Sequence, residues 1–319
     1  LQDLMGNKLP FGGKHVIIGS DFGQTLPIVE KESLATHFET SIKNSDFWGA
    51  LKKYKLVKNE RCQDEGWKEI LLQIRSGEKE SDKDGNIELP EDITVCDQDA
   101  RILQDELIKF VYDGIQDQYK SYKWLMERCK LPPRNESANE INKKMIEIMP
   151  GEEITSYSAD KVCRQERNDE DNENDFEDVP IEFLNTLNYP GFPRHELKLK
   201  KHMVLMLMRN INKKQGLCNG TRLILEEVMG STLKCYNPVR DEMVFIPRIE
   251  LRSDVKKGGF LWKRRQFPVQ PAFSMTINKS QGQTIKGKLG VYLYRSVFSH
   301  GQLYVALSRS TKQENVKIA

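Results

Sequence analysis

Near its carboxyl end the chain uses one local pattern twice, an apolar run that stops at a cluster of small, polar and basic residues. Phe273–Thr284 reads FSMTINKSQGQT and Ser299–Ser310 reads SHGQLYVALSRS. A buried run that ends this way and passes into a helix is the strand–loop–helix unit of an α/β protein, where ligands sit at the carboxyl ends of the strands. The same alternation recurs upstream. Lys14–Gly19 (KHVIIG) and Lys55–Val57 read as short buried strands. Helical periodicity follows Pro27 as far as Trp48, and returns over Trp67–Arg75, Gln104–Tyr112 and Glu136–Met149, the last after Pro132-Pro133 and Asn135. Leu197–Asn210, Thr221–Val228, Thr232–Tyr236 and Met243–Pro247 read instead as successive strands parted by Gly220, Gly230 and Asn237-Pro238, which suits a small antiparallel barrel or sheet. Gln270–Ile277, Leu289–Leu293 and Tyr304–Ala306 complete the strand set. The expected fold is therefore α/β lobes carrying a small β module.

With 319 residues there is ample chain for two domains or more. The net charge of +2 conceals an asymmetry: up to Arg194, 26 Lys and Arg face 39 Asp and Glu, whereas from His195 onward 23 face 8. The basic half is interleaved with the two terminal motifs, as a surface that tracks a phosphate backbone would be. Seven of the ten residues from Asp169 to Asp178 are acidic, so residues 164–178 read as a polar loop. No run approaches the roughly 18 apolar residues of a membrane span, and Met203–Met208 reads as a buried strand. Six cysteines without a CxxC pair or spaced histidines read as free thiols, neither zinc ligands nor disulfides. No signal peptide is seen. The chain opens on Leu1 inside a helical pattern and is expected to be a piece of a longer protein.

Several segments carry candidate chemistry. In GSDFGQTLPIV (Gly19–Val29) a strand ends at Asp21 with Gln24 three residues on, either a polar pair at the sheet's carboxyl edge or a turn capped by Asp21. Arg61 closes LVKNER after a strand, where an arginine can reach an anion or serve as a surface ion-pair partner. Arg309 follows the buried run of YVALSR, and its guanidinium can emerge at the edge of one lobe to reach a nucleotide held by the other. Gln302 and Tyr304 pack or orient that segment. In NKSQGQT, Gly282 lets the backbone approach a phosphate, Ser280, Gln281 and Thr284 offer hydrogen bonds, and Lys279 adds charge. FLWKRRQFP (Phe260–Pro268) interleaves Trp262 with Lys263, Arg264 and Arg265, which suits stacking on a single strand or, equally, a buried Trp beside an exposed basic turn. Gly282 to Lys288 mimics P-loop spacing, but Leu289 stands where a Ser or Thr would hold magnesium. No other G-x-x-x-x-G-K-[ST] occurs, and Asp64-Glu65, Asp105-Glu106 and Asp241-Glu242 do not end apolar strands.

Taken in order, these segments resemble the motifs of the Pif-type DNA helicases, superfamily-one enzymes that move 5′ to 3′, with the nearest likeness to the helicase half of Helitron transposon proteins. The likeness extends through Glu182–Val228, where a proline-glycine turn, H-x-L-x-L-K, R-N-I and G-L-C-N-G-T-R look like the family's small 2B insertion. The resemblance implies RecA-like lobes with an SH3-like barrel. Residues 1–78 would be the remainder of the first lobe, and 79–181 a connecting segment and the start of the second. Residues 182–228 would be the 2B domain, its barrel reaching to about 265, and 266–319 the end of the second lobe. It implies ATP and Mg²⁺ as cofactors of the intact parent. Gln24, Arg61 and Arg309 would read the γ phosphate, with Asp21, Gly282 and Gln283 also at the nucleotide. Lys279, Ser280, Gln281, Thr284, Arg209, Asn210, Asn219, Arg222, Trp262 and Arg264 would contact DNA, with Lys213 and Lys214 on the same loops. Single-stranded and forked DNA would be the partners of a monomer acting in repair, recombination and telomere maintenance, in nucleus or mitochondrion. The chain departs from the family at Ser20 (commonly Gly), Gly23 (Arg), Asn278 (His) and Lys201-His202 (V-G), which bears on the tuning of those loops. The family's P-loop and metal carboxylate precede Gly19, so this piece is expected not to hydrolyse ATP alone. A catalytically inactive, single-strand-binding Helitron remnant is the alternative.

Overall fold

In the computed structural model, residues 1–25, 41–56, 59–62, 64–163, 179–189, 191–253 and 261–319 are described. The acidic loop 164–178, Pro27, Val57, Pro190, Phe260 and most of the helical pattern before Trp48 lie outside them.

Strands β1 (Cys129–Leu131), β12 (Leu289–Val291) and β13 (Val316–Ile318) form a parallel sheet in the order β1-β12-β13, with Cys129 opposite Leu289 and Leu289 opposite Val316. Parallel bridges from Thr94 to Ile318 and from Lys130 to Ser274 extend it on both sides. β1 and β12 are buried throughout, as expected of parallel strands covered on both faces. Helix α3 (Ala100–Tyr112) lays Leu103, Leu107 and Val111 on the sheet, and Asp99 caps its start by accepting from the Arg101 N–H at 2.7 Å. The fit is close: a Cβ at Gly290 would come within 2.9 Å of Val111 Cγ2. Helix α6 (Asn135–Ile148) leaves β1 and buries Ile141, Met145 and Ile146.

The β module is a five-stranded antiparallel sheet, ordered β11 (Val269–Pro271), β5 (Val204–Leu207), β6 (Arg222–Met229), β7 (Thr232–Asn237) and β8 (Glu242–Pro247). β7 alternates buried and half-buried positions, the period-two pattern of a sheet with one face on the core. No described residue pairs β8 with β11, so the module is an open sheet where a closed barrel is expected. A second unit joins β3 (Ala159–Val162), β10 (Trp262–Gln266) and β9 (Ile249–Arg252), and β2 (Glu153–Tyr157) pairs with β4 (Glu196–Lys200). Leu184 of helix α7 (Ile181–Thr186), Phe192, Leu251 and Trp262 form a separate small core beneath it.

Five expected strands differ, among them Gln270–Ile277, which pairs within β11 only as far as Pro271 and then makes an isolated bridge at Ser274. Lys14–Gly19 is irregular, with Ile17 98% exposed, because no described strand pairs with it and the Lys14 N–H closes the preceding turn on the Phe11 carbonyl. Lys55 and Leu56 are likewise unpaired. Leu197–Asn210 is two strands, broken at Lys201-His202, where His202 takes a φ of 69°. Tyr304–Ala306 lies in helix α8 (Gln302–Leu307), a short apolar run whose period does not separate strand from helix. Helix α1 (Gln2–Met5) precedes these elements, and α2 (Glu65–Ser76) covers the expected Trp67–Arg75.

Candidate functional site

The expected nucleotide residues meet along one seam. Asp21 opens a tight turn: its carboxylate accepts from the Gly23 N–H and from Gln24 Nε2, both at 3.1 Å. Arg75, at the end of α2, donates to Asp21 Oδ1 from Nε at 3.1 Å and Nη2 at 2.8 Å. Burial alone would raise this carboxyl, but the Arg75, Gln24 and Gly23 hydrogen bonds outweigh it and hold the group below its ordinary value. Asp21 therefore anchors the turn, its carboxylate committed to Arg75, Gln24 and Gly23. The turn presents Gln24, whose Oε1 accepts from Gln281 Nε2 at 2.7 Å, while Thr25 Oγ1 donates to Gln281 Oε1 at 3.3 Å. Gly301, at the start of α8, abuts the same turn so tightly that a Cβ there would fall 2.6 Å from the Gln24 carbonyl carbon and the Gly23 oxygen.

Arg61 crosses the seam to donate from Nη1 to the Ser308 carbonyl at 3.1 Å. Cys62 Sγ reaches the Thr311 carbonyl at 3.2 Å. Arg309 is only 1% exposed. Its Nε donates to the Val305 carbonyl at 2.9 Å, Nη1 to the Gln283 carbonyl at 3.0 Å and Nη2 to Ser308 Oγ at 2.8 Å. Burial, reinforced by the positive charge of Arg61, pushes its pKa down to about 10. The guanidinium thus does not emerge as expected: the Val305 carbonyl of α8, the Gln283 carbonyl and the Ser308 hydroxyl hold it inward. Gln302, wholly buried, donates from Nε2 to Asn278 Oδ1 at 3.0 Å and ties α8 to the NKSQGQT loop.

That loop faces outward. Lys279, Gln281, Gly282 and Thr284 are exposed, and Gly282 has a φ of 83° with open space where a Cβ would stand. Gln283 donates to the Gly220 carbonyl at 3.2 Å, which joins it to the loop between β5 and β6. There Asn210, Lys213, Lys214 and Asn219 are exposed, with Asn210 Oδ1 accepting from the Asn219 N–H at 2.9 Å. Arg209 is half-buried and donates to its neighbour's carbonyl, that of Met208.

Four residues expected at DNA are interior. Ser280 is wholly buried, its hydroxyl donating to the Ile277 carbonyl. Arg222 sits at the start of β6 and donates to the carbonyls of Met126, at the end of helix α5 (Tyr122–Met126), and Arg128, both at 2.9 Å. Trp262 belongs to the small core. Arg264 is 1% exposed, paired with Asp160 at 2.6 Å and donating to the carbonyls of Leu184, Leu187 and Pro193. A buried guanidinium needs such a full set of acceptors, and none of its donors is left for a phosphate. Arg75 and Gly301 are seam residues that the motif reading misses. A basic residue in the last turn of an amphipathic helix reads as a dipole partner, and a glycine before a helix reads as a cap.

Residues 1–84 match the PIF1-like helicase family and residues 182–228 match the family described as DNA helicase Pif1, 2B domain. The ATP-dependent DNA helicase Pif1 of Campylobacter jejuni is 28% identical over 322 residues, covering 97% of this chain and 63% of the relative. The chain is similar to the Pif1-like helicases over both segments and, at lower identity, along nearly its whole length. A Bacteroides Pif1 crystallised with ADP-AlF3 and single-stranded DNA shares the fold at a TM-score of 0.65 and 18% identity, over 100% of this chain and 65% of that one. A structure of two coordinating Pif1 helicases at forked double-stranded DNA gives 0.65 and 19%, over 100% and 63%. The chain thus spans less than two thirds of the length of these relatives.

Proposed function

We propose that the chain is the phosphate-sensing and DNA-gripping part of an ATP-dependent DNA helicase that moves 5′ to 3′ along single-stranded DNA. The supporting observation is the seam. Gln24 and Arg61 bond across it to Gln281 and Ser308, at 2.7 and 3.1 Å, so residues nearly the whole chain apart share one site. Arg61 and Arg309 bring two positive charges together, and an anionic triphosphate fits such a pair. When bound, ATP supplies the phosphoryl group whose transfer drives movement. Gln24 would exchange its bond to Gln281 for the terminal phosphate, and Arg61 would exchange the Ser308 carbonyl for it. Gln281 lies in the loop exposing Lys279 and Thr284, so the exchange is felt where DNA would lie. The basic loop holding Asn210, Lys213, Lys214 and Asn219 continues that surface.

Magnesium does not fit the residues present. Asp21 is committed to Arg75, and among the described residues no group of three or more His, Cys, Asp or Glu could hold a metal.

In domain terms, 1–78 is the remainder of one RecA-like lobe, 79–181 and 266–319 make the second, and 182–228 is the 2B module. The pairing of β1 with β12, and of β12 with β13, supports assigning the two flanking segments to one lobe. We read the enzyme as a monomer acting on single-stranded and forked DNA in repair and recombination, in whichever compartment holds that DNA. The second reading is a single-strand-binding Helitron remnant without turnover.

DNA-stimulated ATP hydrolysis separates the two, measured on the chain and on the full-length natural protein. The helicase reading expects turnover by the full-length protein, lost in Arg309→Ala. Absence of turnover in both, with steeply salt-dependent binding of single strands retained, would establish the remnant.

A further inference from the structure

Phe298 is 59% exposed, on the loop between β12 and α8, outside both hydrophobic cores. Chain flexibility does not explain its position, because its backbone is pinned. The Phe298 N–H donates to Gln302 Oε1 at 3.1 Å, and Gln302 in turn donates to Asn278 at the head of the NKSQGQT loop. The Ile277 N–H just before that loop donates to the Pro132 carbonyl at 3.0 Å, which brings the end of β1 alongside. Arg134 follows β1, and its guanidinium carbon lies 5.5 Å from the Phe298 ring centroid. Three segments at the carboxyl edge of the parallel sheet thus hold one exposed ring and one exposed guanidinium together. The nearby carboxylate is already matched, since Glu136 pairs with Arg295 at 3.6 Å.

We propose that Phe298, flanked by Arg134, is a stacking step for one base of a single-stranded nucleic acid. The proposal rests on the DNA-binding reading above and adds a base-contacting site to its backbone-contacting loops. Every nucleobase has a flat face, and an aromatic ring held in water beside a guanidinium offers both stacking and cation–π attraction without sequence preference. A purely apolar protein contact would not need the arginine. A purely electrostatic one would not need the ring. The path from Phe298 through Gln302 to Asn278 also gives a stacked base a direct mechanical link to the seam.

The test is anisotropy titration of a labelled oligothymidylate with the chain and with the full-length protein. Phe298→Ala is expected to weaken binding by roughly five- to a hundredfold, the range for one base–aromatic stack. Phe298→Trp should keep affinity, while Phe298→Leu, which retains apolar volume without a flat ring, should lose it as the alanine does. A series of oligonucleotides with one abasic position should contain a position that weakens wild type by the same factor and leaves Phe298→Ala no weaker. Folding is checked by circular dichroism, and an exposed ring leaves little to collapse. Wild-type binding with all three variants unchanged overturns the stacking site alone, and points to a protein contact for the ring. No binding by wild type overturns the DNA reading with it.

Discussion

Gly301→Ala is the change that most directly loads the seam. Gly301 has a φ of 76°, where a side chain costs about 1–2 kcal/mol. Its added Cβ would meet the Gln24 carbonyl carbon and Gly23 oxygen at 2.6 Å, and the Gln24 oxygen at 2.7 Å. Those atoms are backbone and cannot rotate away, so the turn must retreat from α8, an overpacking cost of about 1–3 kcal/mol. The expected total is about 2–5 kcal/mol. Gly282→Ala is the control, because Gly282 has a similar φ of 83° but nothing within 4 Å of the new Cβ. It should lose only the conformational part, about 1–2 kcal/mol. Urea denaturation compares the two midpoints, and hydrogen exchange follows the Gln24 amide, which donates to the Asp21 carbonyl at 3.1 Å. The alanine at Gly301 should cost more stability and deprotect Gln24 selectively. Equal costs for the two variants, or an unchanged Gln24 amide, would refute the claim that steric contact holds this seam.

Two further outcomes test the interior. Arg264→Ala leaves Asp160 buried without its partner and should cost about 3–5 kcal/mol in urea denaturation, whereas joint replacement of both by apolar residues should recover most of it. Lys130 is wholly buried, donating to the Gln104 carbonyl at 2.9 Å, and burial with help from Lys144 pushes its pKa down to about 7. The unfolded chain keeps this proton up to the ordinary lysine range, while the folded chain has released it above about 7. Stability should therefore rise with pH from about 7 towards 10.5, and Lys130→Met should flatten that rise in denaturation measured across it.

Much of the architecture is legible where burial is continuous. The Met203–Met208 run, the parallel strands at Leu289 and the periodicity of α2, α3 and α6 need only their own residues to be read. Lys14–Gly19 shows the limit: an apolar β-branched run becomes a strand only beside a backbone that accepts its hydrogen bonds. The site was harder. Arg264 and Trp262 look like a stacking surface by composition, yet β10 alternates, so a buried Trp262 puts Arg264 and Gln266 on the same inward face and leaves Arg265 outside. Period two carries the information that composition does not. Arg75 and Gly301 were illegible for another reason: both act across the fold, on Asp21 and on Gln24, and neither has a partner within its own segment.

The electrostatics of the seam set the balance that an anion bound there would meet. Arg309 keeps its charge on three neutral acceptors, and Arg61 sits close enough to depress its pKa further. Neutral carbonyls satisfy the donors of a buried cation without offsetting its charge, so the pair is left in a field that favours an anion. The bonds available to such an anion are those now holding the parts together: Arg61 to Ser308 on α8, Gln24 to Gln281 on the exposed loop, and Arg309 to the Gln283 carbonyl. Taking any of them loosens a link that runs to Gly220 through Gln283 or to Phe298 through Gln302 and Asn278. An anion at the seam would thus be favoured by relief of like charge and opposed by loss of these bonds. That opposition would tie occupancy of the seam to the position of the exposed loops.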